Sequence, residues 1–140
     1  MPRRSPGEIR AQLLPRHTHH RRTPVIHGLS ASANRQIAVF ERCHGLPAGE
    51  VAHAFRRWSD VARRPRENAD RFYECDDIDL RNGIYHVRTL LEITLHALRT
   101  KARRELAAAI GPADDSNLRR TLNNPFAATG LPWWMRRIDV

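Results

Sequence analysis

An arginine and a histidine, Arg81 and His86, stand five positions apart in "RNGIYH". Imidazole gives and takes protons near neutrality, and guanidinium grips oxyanions with paired donors. On a regular helix, side chains five apart point about 140° away from each other. The two converge only if Asn82-Gly83, a strong turn signal, interrupts the helix. The plain alternative is a helix start, with Arg81 and His86 solvated and Asn82 or Asp79 capping. With 23 arginines and eight histidines in 140 residues, such pairs also arise by chance.

Other clusters of chemically able residues are weaker. "RHTHHRR" sets His17, His19 and His20 among Arg16, Arg21 and Arg22. Close-set histidines bind divalent metals, but flanking guanidinium charges repel cations, so the run reads as solvated. Cys43, His44, His53 and Cys75 match no zinc-finger spacing, and Cys43 fits an apolar helix face. No metal and no other cofactor is expected. "ERCHGLPAGEVAHAFRRW" echoes a helix-turn-helix, with Arg56, Arg57, Arg63 and Arg64 available to DNA. Phe55 and Trp58, however, make its second helix look like a core helix. Glu92, His96 and Arg99 follow at i, i+4 and i+7, a solvated polar row. There is no phosphate-cradling glycine loop, no nucleophile elbow and no convincing carboxylate pair.

Arg81, Asn82 and His86 resemble the Arg-x4-6-His signature of helical ribonucleases of the HEPN type, where Asn or Asp often follows the arginine. That resemblance implies His86 as acid or base at the RNA 2′-hydroxyl and Arg81 holding the phosphate, across a dimer.

The elements that must position these residues are helical. One domain and one modest core fit this length, and 41% apolar with 28% charged residues is ordinary for a globular chain. Asn34 to Cys43 reads as a first helix capped by Asn34. A second starts at Pro47 and ends before Pro65, with Val51, Ala54, Phe55, Trp58, Val61 and Ala62 as its stripe. "PRENADRFYECDD" reads as a helical turn or packed loop. The third helix opens at Leu80, and Thr100 marks a candidate split into 80–99 and 101–110. Gly111-Pro112 should stop it, leaving a short last helix capped by Asp114 or Asp115. The tail "NNPFAATGLPWWMRRIDV" has too many breakers for helix or strand. Phe126, Trp133, Trp134 and Met135 should lie back along the bundle, since a buried aromatic is worth roughly 2–3 kcal/mol. The expected architecture is all-α: a small irregular bundle of three to five helices over 34–122, with the aromatic tail 123–140 packed on it.

Residues 1–33 read as a disordered basic arm broken by prolines, with a short helix at "SPGEIRAQLL" only if it docks. Net charge is +9, and residues 1–35 hold seven arginines and one acid, a balance of +6. Residues 36–140 add sixteen arginines and one lysine against fourteen acids, only +3. A cationic arm on a nearly balanced body suits a polyanion, although 23 arginines to one lysine also fit GC-rich coding. Apolar runs are too short for a membrane span, no secretory leader is evident, and the two cysteines suit a reducing cytoplasm.

"KARRELAAAIGPADDSNLRRTLNNPF", "LPWWMRR" and the "DIDLRNG" helix opening are similar to a group of small arginine-rich helical proteins from GC-rich actinobacteria, over residues 76–137. No activity is established for that group, so the resemblance implies no site residues. The expected function is a non-enzymatic helical module that binds nucleic acid or another polyanion without sequence specificity. Arg3, Arg4, Arg10, Arg16, Arg21 and Arg22 would contact the phosphates. Two alternatives stand beside it. One is a metal-independent ribonuclease using Arg81 and His86. The other is a protein-binding adaptor that presents Trp133 and Trp134 to a partner.

Overall fold

Ser30 starts the first helix. Its hydroxyl accepts from the Ala33 N–H at 3.2 Å, the side-chain bond that satisfies an otherwise orphaned donor of a first turn. The computed structural model describes residues 23–63 and 78–139. Helix α1 then runs Ala31–Cys43. Asn34, expected as the cap, lies one turn inside it. Its amide instead knits the incoming chain together: Oδ1 accepts from the Ile26 N–H, and Nδ2 donates to the carbonyls of Ile26, Leu29 and Ser30. The lead-in belongs to the body as a result. Ile26 is 3% exposed and Ala33 is fully buried, so the boundary of the arm at residue 33 is corrected for residues 23–33. Residues 1–22 and the "SPGEIRAQLL" helix lie outside the described residues.

Gly45, at φ +64°, closes α1. The Leu46 N–H reaches the Glu41 carbonyl and the Gly45 N–H the Arg42 carbonyl, the paired bonds of a Schellman ending. Helix α2 covers Glu50–Arg63, three residues later than the expected start at Pro47. Pro47 to Gly49 form a turn instead, with Glu50 N–H donating to the Pro47 carbonyl at 3.1 Å. Gly49 sits at φ +86°, and a Cβ there would stand 2.7 Å from Pro24 Cδ. Buried Glu41 of α1 accepts from the Val51 N–H at 3.0 Å and so caps α2 from outside.

Helices α3 (Ile78–Ala97) and α4 (Thr100–Arg120) realise the candidate split at Thr100. Arg103 secures the break: its guanidinium donates to the Leu95, His96 and Leu98 carbonyls at the end of α3. The Arg99 N–H, one residue before α4, donates to Gln36 of α1. The expected stop at Gly111-Pro112 is corrected, because α4 continues through Pro112. An interior proline costs about 3 kcal/mol. Contacts beyond it offset that cost: the Ser116 hydroxyl donates to the Ala62 carbonyl, and Arg120 donates to those of Val61 and Ala62. Asp114 serves as an acceptor in the interior and not as a cap.

The tail forms regular structure despite its breakers. Strands β1 (Thr121–Asn123) and β2 (Arg137–Asp139) pair antiparallel, with Leu122 opposite Ile138. A 3-10 turn at Trp133–Arg136 precedes β2. The described residues thus form a small four-helix bundle with a two-stranded ribbon. Trp58, Leu91, Leu106, Ile110, Val51 and Thr94 are its largest fully buried side chains, each apolar one worth roughly 1.5–3 kcal/mol. Helix α2 lies against both α3 and α4, as a core helix does. Among the described residues no helix is long and apolar enough to cross a membrane.

Candidate functional site

Helical spacing alone assembles a polar stripe on α2. Glu50, His53, Ala54 and Arg57 recur at i, i+3, i+4 and i+7, which puts them on one face. That face meets His86, Val87 and Leu90 of α3 across a groove of about 310 Å³. Ala54 and Val87 are buried, while His53 and His86 are exposed and Glu50 and Arg57 half-buried. The result is a partly apolar hollow rimmed by two imidazoles, a guanidinium and a carboxylate. Glu50 lies in the first turn of α2, where the helix dipole favours negative charge. Two larger hollows, of about 530 and 520 Å³, are mostly apolar. The first holds Glu41, which is engaged at α2; the second holds His44, whose Nδ1 lies 2.9 Å from the Phe40 carbonyl.

His86 therefore has partners that the "RNGIYH" pattern did not name. The side chain of Arg81 lies outside the described residues, as do Arg3, Arg4, Arg10, Arg16, Arg21 and Arg22. His53 entered the sequence reading only within the zinc set, and Arg57 only as a DNA-facing residue. The signal that could have found them was the i, i+3, i+7 row beginning at Glu50. It became visible once α2 and α3 were known to be neighbours. Cys43 is exposed, and Cys75 lies outside the described residues. No three His, Cys, Asp or Glu side chains stand close enough to hold a metal among the described residues.

Trp133 and Trp134 lie back along the bundle as expected, and not outward as the alternative of a partner-binding pair requires. Trp134 is 6% exposed and Trp133 is packed against the core. The Trp134 indole donates to Thr89 Oγ1 at 3.2 Å, and the two rings meet edge to face. Their position follows from Arg88, whose guanidinium lies 4.5 Å from the Trp134 ring centre and 6.0 Å from that of Trp133. Arg88 is 5% exposed. It forks onto Asp114 at 2.9 and 3.0 Å and reaches Glu92 at 2.9 Å. The Trp58 indole also donates to Asp114. Burial pulls the Arg88 pKa down, but the bonds to Asp114 and Glu92 outweigh it and the net direction is upward, so this cation stays charged. Glu92 turns to Arg88 and His96, and Arg99 leaves the expected row. Phe126, expected to pack, is 95% exposed. The Asn124–Ala127 turn places it at a tip, where its N–H donates to Asn124 Oδ1.

Exposed cations gather at the start of α4. Arg99, Lys101 and Arg104 are exposed there, with Arg35 of α1, and none forms an ion pair among the described residues. The Ser30 N–H and hydroxyl both donate to Glu105, at 2.8 and 3.1 Å. Those bonds pull the Glu105 carboxyl below its ordinary value, with Lys101 adding to the effect. They also fix the entry of the chain into α1 beside this cationic turn. No protein family, curated protein or solved structure matches the chain.

Proposed function

We propose that the chain binds nucleic acid through its phosphates, without reading sequence. Arg3, Arg4, Arg10, Arg16, Arg21 and Arg22 supply most of the charge, and Arg35, Arg99, Lys101 and Arg104 extend it onto the body. The observation that carries this reading is the uneven charge: +6 of the net +9 falls in residues 1–35. Phosphate contacts of this kind release counterions, so affinity falls steeply with salt. Ser30 and Glu105 hold the start of α1 against α4, beside the exposed Arg99, Lys101 and Arg104.

The test keeps the folded lead-in intact. Replacing the six leading arginines by glutamine in the full chain leaves Pro24 and Ile26 in place. Retention of single-stranded RNA, DNA and heparin is then measured at two salt concentrations. The expected result is weaker binding and a log–log salt slope reduced by up to about 4 for single strands. Unchanged affinity and slope would remove this reading.

A further inference from the structure

A hollow of about 530 Å³ lies between the incoming chain and α1. Val25, Ile26, Leu29, Ile37 and Ala52 give it apolar walls, and Pro24, seated against Gly49, holds one lip. Glu41 is the acid in this wall, and it is 3% exposed. Its two oxygens are unequally served. Oε2 accepts from the Val51 N–H at 3.0 Å, while Oε1 has no partner among the described residues. The sealed side-chain atoms without a partner there are Asn117 Oδ1 and Arg136 Nε. Oε1 therefore meets open space, and the hollow is the open space that Glu41 lines. We propose that this hollow binds a small organic cation, an ammonium or guanidinium on an apolar body, with its charged end on Glu41 Oε1.

The sign of the ligand follows from what Glu41 lacks. The N-terminus of α2 brings roughly half an elementary positive charge to the carboxylate. About half of the negative charge is left unmet. Asn34 also lines the hollow, but its amide is spent on Ile26, Leu29 and Ser30. Arg35 stands exposed at the rim and forms no ion pair among the described residues. A carboxylate this buried is costly until a cation or a donor meets it, and apolar walls strengthen the pairing by lowering the local dielectric. The walls also decide what kind of cation enters. A metal ion needs several oxygen ligands, and one carboxylate among aliphatic side chains does not supply them. No three ligating side chains gather among the described residues. An organic cation uses both features: its head meets Oε1, and its body displaces water from Ile26, Leu29 and Ile37.

This site is separate from phosphate binding by the leading arginines and does not depend on it. The probes are benzylammonium, its uncharged counterpart benzyl alcohol and the anion benzoate. Each is titrated into the full chain at neutral pH, and the amide resonances of Ile26, Ile37 and Ala52 are followed. The expected result is saturable shifts with the ammonium, binding of the alcohol weaker by about ten-fold or more, and no saturable shift with benzoate. Glu41→Gln keeps an acceptor for the Val51 N–H and should erase the difference between ammonium and alcohol. Val25→Arg sets a cation in the wall at an exposed position, 47% accessible, and should weaken the ammonium by a similar factor. Circular dichroism checks both variants; if Glu41→Gln does not fold, Val25→Arg decides. No saturable shift with the ammonium overturns the assignment, as does equal affinity for ammonium and alcohol. A preference that survives in folded Glu41→Gln, or an affinity that Val25→Arg leaves unchanged, overturns it as well. Replacing the six leading arginines by glutamine should not alter ammonium binding. A gain of about ten-fold there would mean that the chain's own guanidinium fills the hollow, and the site would not be one for a free ligand.

Discussion

Glu105 shows how one side chain joins distant parts of the sequence. Its carboxylate receives both donors of Ser30, 75 residues earlier, while that same hydroxyl accepts from Ala33 at the head of α1. The Ser30 bonds favour the ionised form and draw the carboxyl's pKa below its ordinary value. A depressed folded-state pKa contributes stability above the unfolded pKa, and that contribution fades as pH falls through the folded one. Glu105→Gln should therefore lower the thermal unfolding midpoint at pH 7. The gap to the parent should narrow at about pH 3, where carboxyls protonate. Melting curves by circular dichroism at both pH values would show this. A gap equally wide at both would mean that the bond, and not the charge, carries the effect. The sequence pointed to Asn34 as the cap and not to Ser30, and the bond to Glu105 was not legible, because no local pattern links position 30 to position 105.

Elements were decided by competition between local signals and packing. The stripe on α2 and the break before Thr100 could be read directly, since apolar side chains at three- and four-residue spacing must face one way. Pro112 misled. Its missing N–H and its ring normally end a helix, yet Ser116 and Arg120 anchor the next two turns to the end of α2. The ring itself is exposed, so only the backbone penalty remains. Pro112→Ala should thus raise unfolding free energy by about 1–3 kcal/mol in denaturant titrations. No gain, or a loss, would mean that the helix is not strained there. The ribbon of β1 and β2 escaped the sequence for the converse reason. Three-residue strands carry too little alternation to register, and their pairing joins residues separated by the whole tail.

At the scale of the molecule, Arg88 is the junction. It binds α3 to α4 through Asp114 and lies under the tail through Trp134, while Trp58 brings α2 to the same carboxylate. Breaking one partner of a buried pair leaves an uncompensated charge, at about 3–5 kcal/mol. Arg88→Met should lose that much by urea unfolding and should expose Trp134 to fluorescence quenchers. Adding Asp114→Asn, which keeps an acceptor for the Trp58 indole, should recover most of the loss, because no charge is then left buried. Failure of the second change to recover stability would locate the effect in packing under the indoles.

Composition and periodicity by themselves determined that this chain is helical, where α2 and the α3–α4 break lie, and that its charge is concentrated at the leading end. Those properties depend on neighbours within about two turns, and a sequence displays them. Only the tertiary structure decided that α4 passes through Pro112, that residues 23–33 join the core, and that His86 stands across from His53 and Arg57. Each of those outcomes depends on which faces of remote segments meet, and packing chooses that after every local preference has been expressed.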